Sequence, residues 1–202
     1  MSSRRVSTVG VVASAAGGLE CLTTGLVQPL VAGGHRVAVT LTPTARSWLT
    51  DGEMTVLEDL SGLPVRWLPR LPAEPGPHPK LDVLVAAPLT ANSVAKLALG
   101  IADNQALTLL CESLTVLPVV VFPRVNAAHA RHPAWDGHLA RLRSTGVHLV
   151  YGEDVWPLAE PRTAPGDRAL PWTRIIQLVD RVGTRSETRA SGVPRPPQEP
   201  LG

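Results

Sequence analysis

The chain is short of aromatic side chains, with 1 Tyr, 1 Phe and 5 Trp in 202 residues. It also has only 2 cysteines, Cys21 and Cys111. Two cysteines in apolar stretches of expected helices make no disulfide framework, so buried reduced thiols in a cytoplasmic protein are expected. The net charge is only +2, and no Lys/Arg run interleaves with aromatics, which argues against a nucleic-acid partner. No apolar run reaches the roughly 18–20 residues of a membrane helix, so no membrane partner is expected either. The N-terminal MSSRRVSTVGVVASAAGG places Arg-Arg before an apolar stretch, as a secretion signal does. That stretch is short, β-branched and closed by Gly-Gly, which fits a first core strand better.

What the chain does have is Ala, Val and Leu in an apolar share of 44%. Val6 to Ala13 is a near-continuous β-branched run, the pattern of a strand buried on both faces. Small residues Ser14 to Gly18 turn the chain into a helix from Leu19 to Val31, which Pro29 bends or shortens. A strand at Arg36 to Leu41 follows. Thr42 and Pro43 then serve as N-cap and first residue of a helix to Leu49. Another short helix covers Met54 to Leu60, with a strand at Pro64 to Trp67. Residues 69 to 80, PRLPAEPGPHPK, hold five prolines and continue neither helix nor strand. Further strands fall at Asp82 to Ala86, Pro118 to Phe122 and Val147 to Val150. Further helices fall at Ala91 to Leu99, Asn104 to Ser113, 133 to 144 and Trp172 to Val182. This alternation predicts an α/β fold, three-layered with a parallel sheet, forming one domain over residues 1–184. Residues 185–202 read as a polar, Pro-rich, disordered tail.

Parallel sheets bind ligands outside the carboxyl ends of their strands, and polar residues gather there. Ser14 opens a small-residue turn that suits either a tight bend or a phosphate. Thr42 suits a cap, with a phosphate within its reach. Thr90, Asn92 and Ser93 begin the helix after a buried strand, where one cap would suffice. Asp103 and Asn104 could likewise cap the next helix. Hydroxyls and amides without a strong acid–base pair suit a neutral heterocycle carrying a phosphate, and do not suit hydrolysis.

The stretch PLTANSVAKLALGIADN resembles the PASANT motif and following helix of the flavin-dependent cysteine decarboxylases. That family includes phosphopantothenoylcysteine decarboxylase and the peptidyl-cysteine decarboxylases of lantibiotic-type peptide biosynthesis. GVVASAAGG and LTPTA resemble its two phosphate-side turns. FPRVNAAHARHPAW resembles its second signature, keeping Pro123, Asn126, Pro133 and Ala134. The resemblance spans roughly residues 6 to 150. It implies a Rossmann-like, flavodoxin-like fold that binds FMN, or FAD in its place, at an interface of a homotrimer or homododecamer. It implies that Ser14 and Thr42 serve the flavin phosphate and that Thr90, Ala91, Asn92 and Ser93 line the flavin. Asp103 and Asn104 would support the site. Asn126 would bind the substrate carboxylate, by hydrogen bonds rather than an ion pair, leaving the group able to depart as carbon dioxide. The flavin would oxidise the cysteine thiol towards a thioaldehyde that accepts the electron pair released by decarboxylation.

Three departures from the family pattern matter. The candidate for its catalytic histidine is His78, four residues before Asp82 and so displaced in spacing. The Met and Trp of the second signature are absent, which makes His129 or His132 candidate polar contacts to substrate. Residues 151 to 171 contain no cysteine, whereas the coenzyme A enzymes carry a late Cys-containing flap that reduces their intermediate. The missing flap cysteine favours an enzyme releasing the oxidised aminoenethiol from a precursor peptide with a C-terminal Cys. The alternatives are a phosphopantothenoylcysteine decarboxylase acting on the small phosphopantothenoyl-cysteine substrate, and a non-catalytic flavin-binding regulatory protein.

Overall fold

The computed structural model describes residues 6–76, 78–163 and 169–183. The expected tail at 185–202 lies outside them. Five strands form one parallel sheet in the order β2-β1-β3-β4-β5. They are β1 (Thr8–Ala13), β2 (Arg36–Leu41), β3 (Val83–Leu89), β4 (Val119–Pro123) and β5 (His148–Leu149). This is the flavodoxin-like order, and it reverses direction between β1 and β3.

The three layers follow from strand geometry, since successive side chains point to opposite faces. Val9, Val11 and Ala13 of β1 join Val37, Val39 and Leu41 of β2 and Val83 and Val85 of β3 in one core. Against it pack α1 (Gln28–Ala32), α3 (Asp51–Ser61) and α8 (Trp172–Gly183), through Leu30, Leu57 and Ile175 among others. Val12, Leu84, Ala86, Val119 and Val121 face the other core. That core is closed by α4 (Ala91–Leu99), α5 (Gln105–Ser113) and α7 (Trp135–Ser144). Two short helices, α2 (Pro43–Trp48) and α6 (Ala127–Ala130), follow β2 and β4. Among the described residues no helix is long and apolar enough to cross a membrane.

Four expectations change in detail. The first helix runs unbroken but changes its hydrogen-bonding pattern along its length. A 3-10 turn at Leu19–Cys21 and a π-helical turn at Thr23–Val27 precede α1, in which Pro29 is the second residue. Gly25 in this turn leaves room for Trp172, for a Cβ there would lie 2.4 Å from its indole ring. The segment at Pro64 to Trp67 is no full strand. It makes one parallel bridge, Arg66 with Thr40, using bonds to Val39 and Leu41 at the outer edge of β2. The helix expected from 133 begins at Trp135, and a separate turn of helix, α6, precedes it. Finally, Cys21 is exposed rather than buried, because it falls at the end of the 3-10 turn on the solvent side. Cys111 is half-buried, and that burial raises its thiol pKa.

Candidate functional site

Four of the five strands deliver a polar residue to the same rim. Ser14 follows β1, Thr42 follows β2, Thr90 follows β3, and Arg124 and Asn126 follow β4. Three of these are helix N-caps, a local consequence of a hydroxyl or amide placed three residues before an N–H that lacks a helical acceptor. The Thr42 Oγ1 accepts from Ala45 N at 3.2 Å, the Thr90 Oγ1 from Ser93 N at 3.2 Å, and the Asn126 Oδ1 from His129 N at 2.9 Å.

Ser14 is 2% exposed and its hydroxyl joins two strand ends. It donates to the Pro88 carbonyl at 3.2 Å and accepts the Thr90 N–H at 2.7 Å. Its single proton is therefore engaged, and it would have to leave Pro88 to donate to a phosphate. Thr42 differs, because capping uses only an acceptor lone pair and leaves the hydroxyl proton for a ligand. Ser93 is 4% exposed, and its hydroxyl lies 3.1 Å from that of Thr90. Ala91 is half-buried and Asn92 is exposed at the same helix start.

The structure does not bring every expected residue to this rim. Helix α4 carries the chain about 13 Å away from Thr90 before Asp103 and Asn104 are reached. There Asp103 pairs with Lys96, which lowers its carboxyl pKa, and Asn104 caps α5 through Leu107 N. The His78 Nε2–H donates to the Pro64 carbonyl at 2.8 Å. That places it beyond β2, about four strand spacings or 19 Å of sheet from β4 and Asn126. Burial lowers its imidazole pKa, the bond to Pro64 opposes the shift, and Arg66 adds to it. His129 and His132 are exposed beside Asn126, and the His132 Nδ1 accepts from Ala134 N at 3.2 Å.

Two features of the rim carried no signal of their own in the sequence. Glu20 turns back so that both carboxylate oxygens accept the Gly18 N–H, at 2.9 and 3.0 Å. Residues 151 to 163 are tied to the end of β4: Ala127 N donates to the Ala159 carbonyl at 2.9 Å, and Arg131 holds Glu160 through two bonds of 2.6 and 2.9 Å. The rim's donors and acceptors are hydroxyls, amides and one guanidinium, and the Nε of that Arg124 is buried without a hydrogen-bond partner among the described residues. Such a set fits a polar heterocycle with an anionic tail, placed where the strand order reverses.

A family model described as Flavoprotein matches residues 2–182. The chain belongs to the flavoprotein family. It is 31% identical over 177 residues to the coenzyme A biosynthesis bifunctional protein CoaBC of Escherichia coli strain K12, covering 84% of this chain and 42% of that protein. A cysteine/cysteine sulfinic acid decarboxylase from an unknown prokaryotic organism is 38% identical over 69 residues, covering 34% of this chain and 19% of that protein. This flavoprotein thus spans less than half the length of these relatives. Among solved structures, the FMN-dependent cysteine decarboxylase TvaF from thioviridamide biosynthesis aligns with a TM-score of 0.65 at 23% identity, covering 88% of this chain and 98% of that one. A PPC decarboxylase mutant complexed with pantothenoylaminoethenethiol aligns at 0.63 and 22%, covering 86% and 97%. At such identities the structural likeness establishes a shared fold.

Proposed function

We propose that this flavoprotein binds FMN and oxidatively decarboxylates the C-terminal cysteine of a precursor peptide, releasing an aminoenethiol. The observation that carries the reading is the convergence of Thr42, Thr90 and Asn126 at the ends of β2, β3 and β4, around the turn that begins at Ser14. Thr42 would donate its remaining proton to the phosphate, and Thr90, Ala91, Asn92 and Ser93 would line the ring. When bound, the flavin supplies a two-electron sink for the thiol-bearing carbon, which makes loss of the neighbouring carboxylate feasible. The role of Asn126 follows from its cap. Its Oδ1 is taken by His129 N, so its NH2 remains as the donor to a carboxylate. Being uncharged, the Asn126 amide adds no ion pair of its own to oppose that group's departure.

The absence of cysteine from residues 151–171 favours the oxidised product over the reductive coenzyme A reaction, because no thiol there can return electrons to the enethiol. Cys111 lies on α5 and Cys21 in the first helical segment. A second reading, phosphopantothenoylcysteine decarboxylation, is favoured by the 31% identity to CoaBC over most of the chain. Assembly as a homotrimer or homododecamer would allow His78 of one copy to approach the rim of another, which His78 does not reach within its own chain.

The purified protein should be yellow with a flavin spectrum, and a colourless preparation that gains no colour from FMN overturns the cofactor assignment. Mass spectrometry after incubation with a peptide ending in Cys should show loss of one carbon dioxide and two hydrogens. Loss of carbon dioxide alone from 4′-phosphopantothenoylcysteine would establish the second reading instead. Flavin binding with neither reaction would leave a regulatory binding protein.

A further inference from the structure

Arg124 stands between the retained Pro123 and Asn126 of the second signature, and nothing in the proposed reaction uses it. Its backbone N–H donates to the Leu89 carbonyl at 2.8 Å, so the end of β3 fixes its position. Its side chain reaches back across the rim to the β1 turn, where a Cβ on Gly17 would lie 3.6 Å from Nη2. The guanidinium carbon lies 4.8 Å from the centre of the Trp156 ring. That stacking satisfies one face of the guanidinium but none of its in-plane N–H donors. The Nε is buried with no hydrogen-bond partner among the described residues. Desolvation lowers the Arg124 pKa, and the nearby Glu20 carboxylate counters this electrostatically. Both Glu20 oxygens are already bonded to Gly18 N.

A half-buried cation with an orphaned donor is costly unless an anion meets it. We propose that Arg124, beside the Gly17–Gly18 turn, binds an oxyanion of the ligands that occupy this rim: the phosphate of the flavin nucleotide or the carboxylate of the cysteine substrate. The inference rests on the decarboxylase reading and adds a residue to it. A planar guanidinium suits either group, since both present paired oxygens to a fork of donors.

The test uses the full chain and its Arg124→Gln and Arg124→Lys variants. Flavin-free protein is titrated with FMN and with riboflavin, following flavin fluorescence. FMN-loaded protein is then titrated with a peptide ending in free Cys and with the same peptide amidated, following flavin absorbance. Arg124→Gln should shrink one preference, FMN over riboflavin or free acid over amide, by roughly tenfold, the scale of one charge-assisted hydrogen bond. The first result assigns the phosphate and the second the carboxylate. Arg124→Lys should keep most of that preference because it keeps the charge. If Arg124→Gln leaves both preferences intact, or weakens both members of each pair equally while lowering the melting temperature, Arg124 is a packing residue and the inference falls alone. A wild-type chain that binds neither flavin overturns the decarboxylase reading and this inference together.

Discussion

The Ser14 Oγ accepts the Thr90 N–H at 2.7 Å across 76 residues of sequence, and donates to the Pro88 carbonyl at 3.2 Å. One hydroxyl thereby couples the turn after β1 to the helix start after β3, at the point where the strand order reverses. Ser14→Ala removes both bonds and leaves a part-buried N–H without its acceptor. We expect a loss of about 1–3 kcal/mol in urea unfolding, the cost of such an orphaned group. FMN affinity should fall as well, since the Thr90 cap loses its anchor. An unchanged unfolding midpoint would show that water replaces the hydroxyl.

Asn126 has two separable roles, a cap for α6 and a donor to substrate. Asn126→Ala should abolish decarboxylation with the flavin still bound, and should lower stability by about 1 kcal/mol through loss of the cap. Asn126→Asp keeps a capping oxygen but sets a carboxylate against the substrate's own. Its melting temperature should therefore stay near wild type while its turnover disappears. Turnover that survives in Asn126→Asp would remove the carboxylate from the list of groups this residue meets.

The lowered pKa of His78 has a direct consequence for stability. Its folded value lies below that of the unfolded chain, because burial disfavours the charged ring. The unfolded state therefore binds the proton more readily as pH falls below about 6.5, and stability declines there. Melting temperatures recorded from pH 8 to pH 5 should drop on the acid side. His78→Gln should flatten this part of the profile while keeping a donor for the Pro64 carbonyl. A profile identical to wild type would mean that His78 does not titrate differently on folding.

Gly25 is not there for flexibility. Ala is the better helix former by about 1 kcal/mol, so Gly25→Ala would stabilise an open helix surface. Here the new Cβ would fall 2.4 Å from the Trp172 indole, which packs edge-on against Phe122 with ring centres 6.4 Å apart. We expect a net loss of roughly 1–3 kcal/mol from overpacking. Trp172→Leu in the same chain should recover part of it. Additive losses in the double variant would show that the two sites do not touch.

The sequence by itself determined what is set within a few residues. Val, Leu and Ala on both faces of β1, β2 and β3 demand helices on both sides, and thus three layers. The caps Thr42, Thr90 and Asn104 each bond an N–H three residues on, so side-chain chemistry and spacing suffice to place them. The PLTANS stretch could be matched to its family for the same reason. Tertiary structure alone decided which distant groups meet. Ser14 reaches Thr90, Arg124 reaches Gly17 and Trp156, and His78 lies across the sheet from Asn126, because the strand order β2-β1-β3-β4-β5 interleaves segments far apart in the chain. Gly25 likewise leaves room for Trp172, 147 residues further along the chain. A local window encodes caps and periodicity. Contacts across 76 or more residues depend on the packing of the whole sheet, which no short stretch of residues carries.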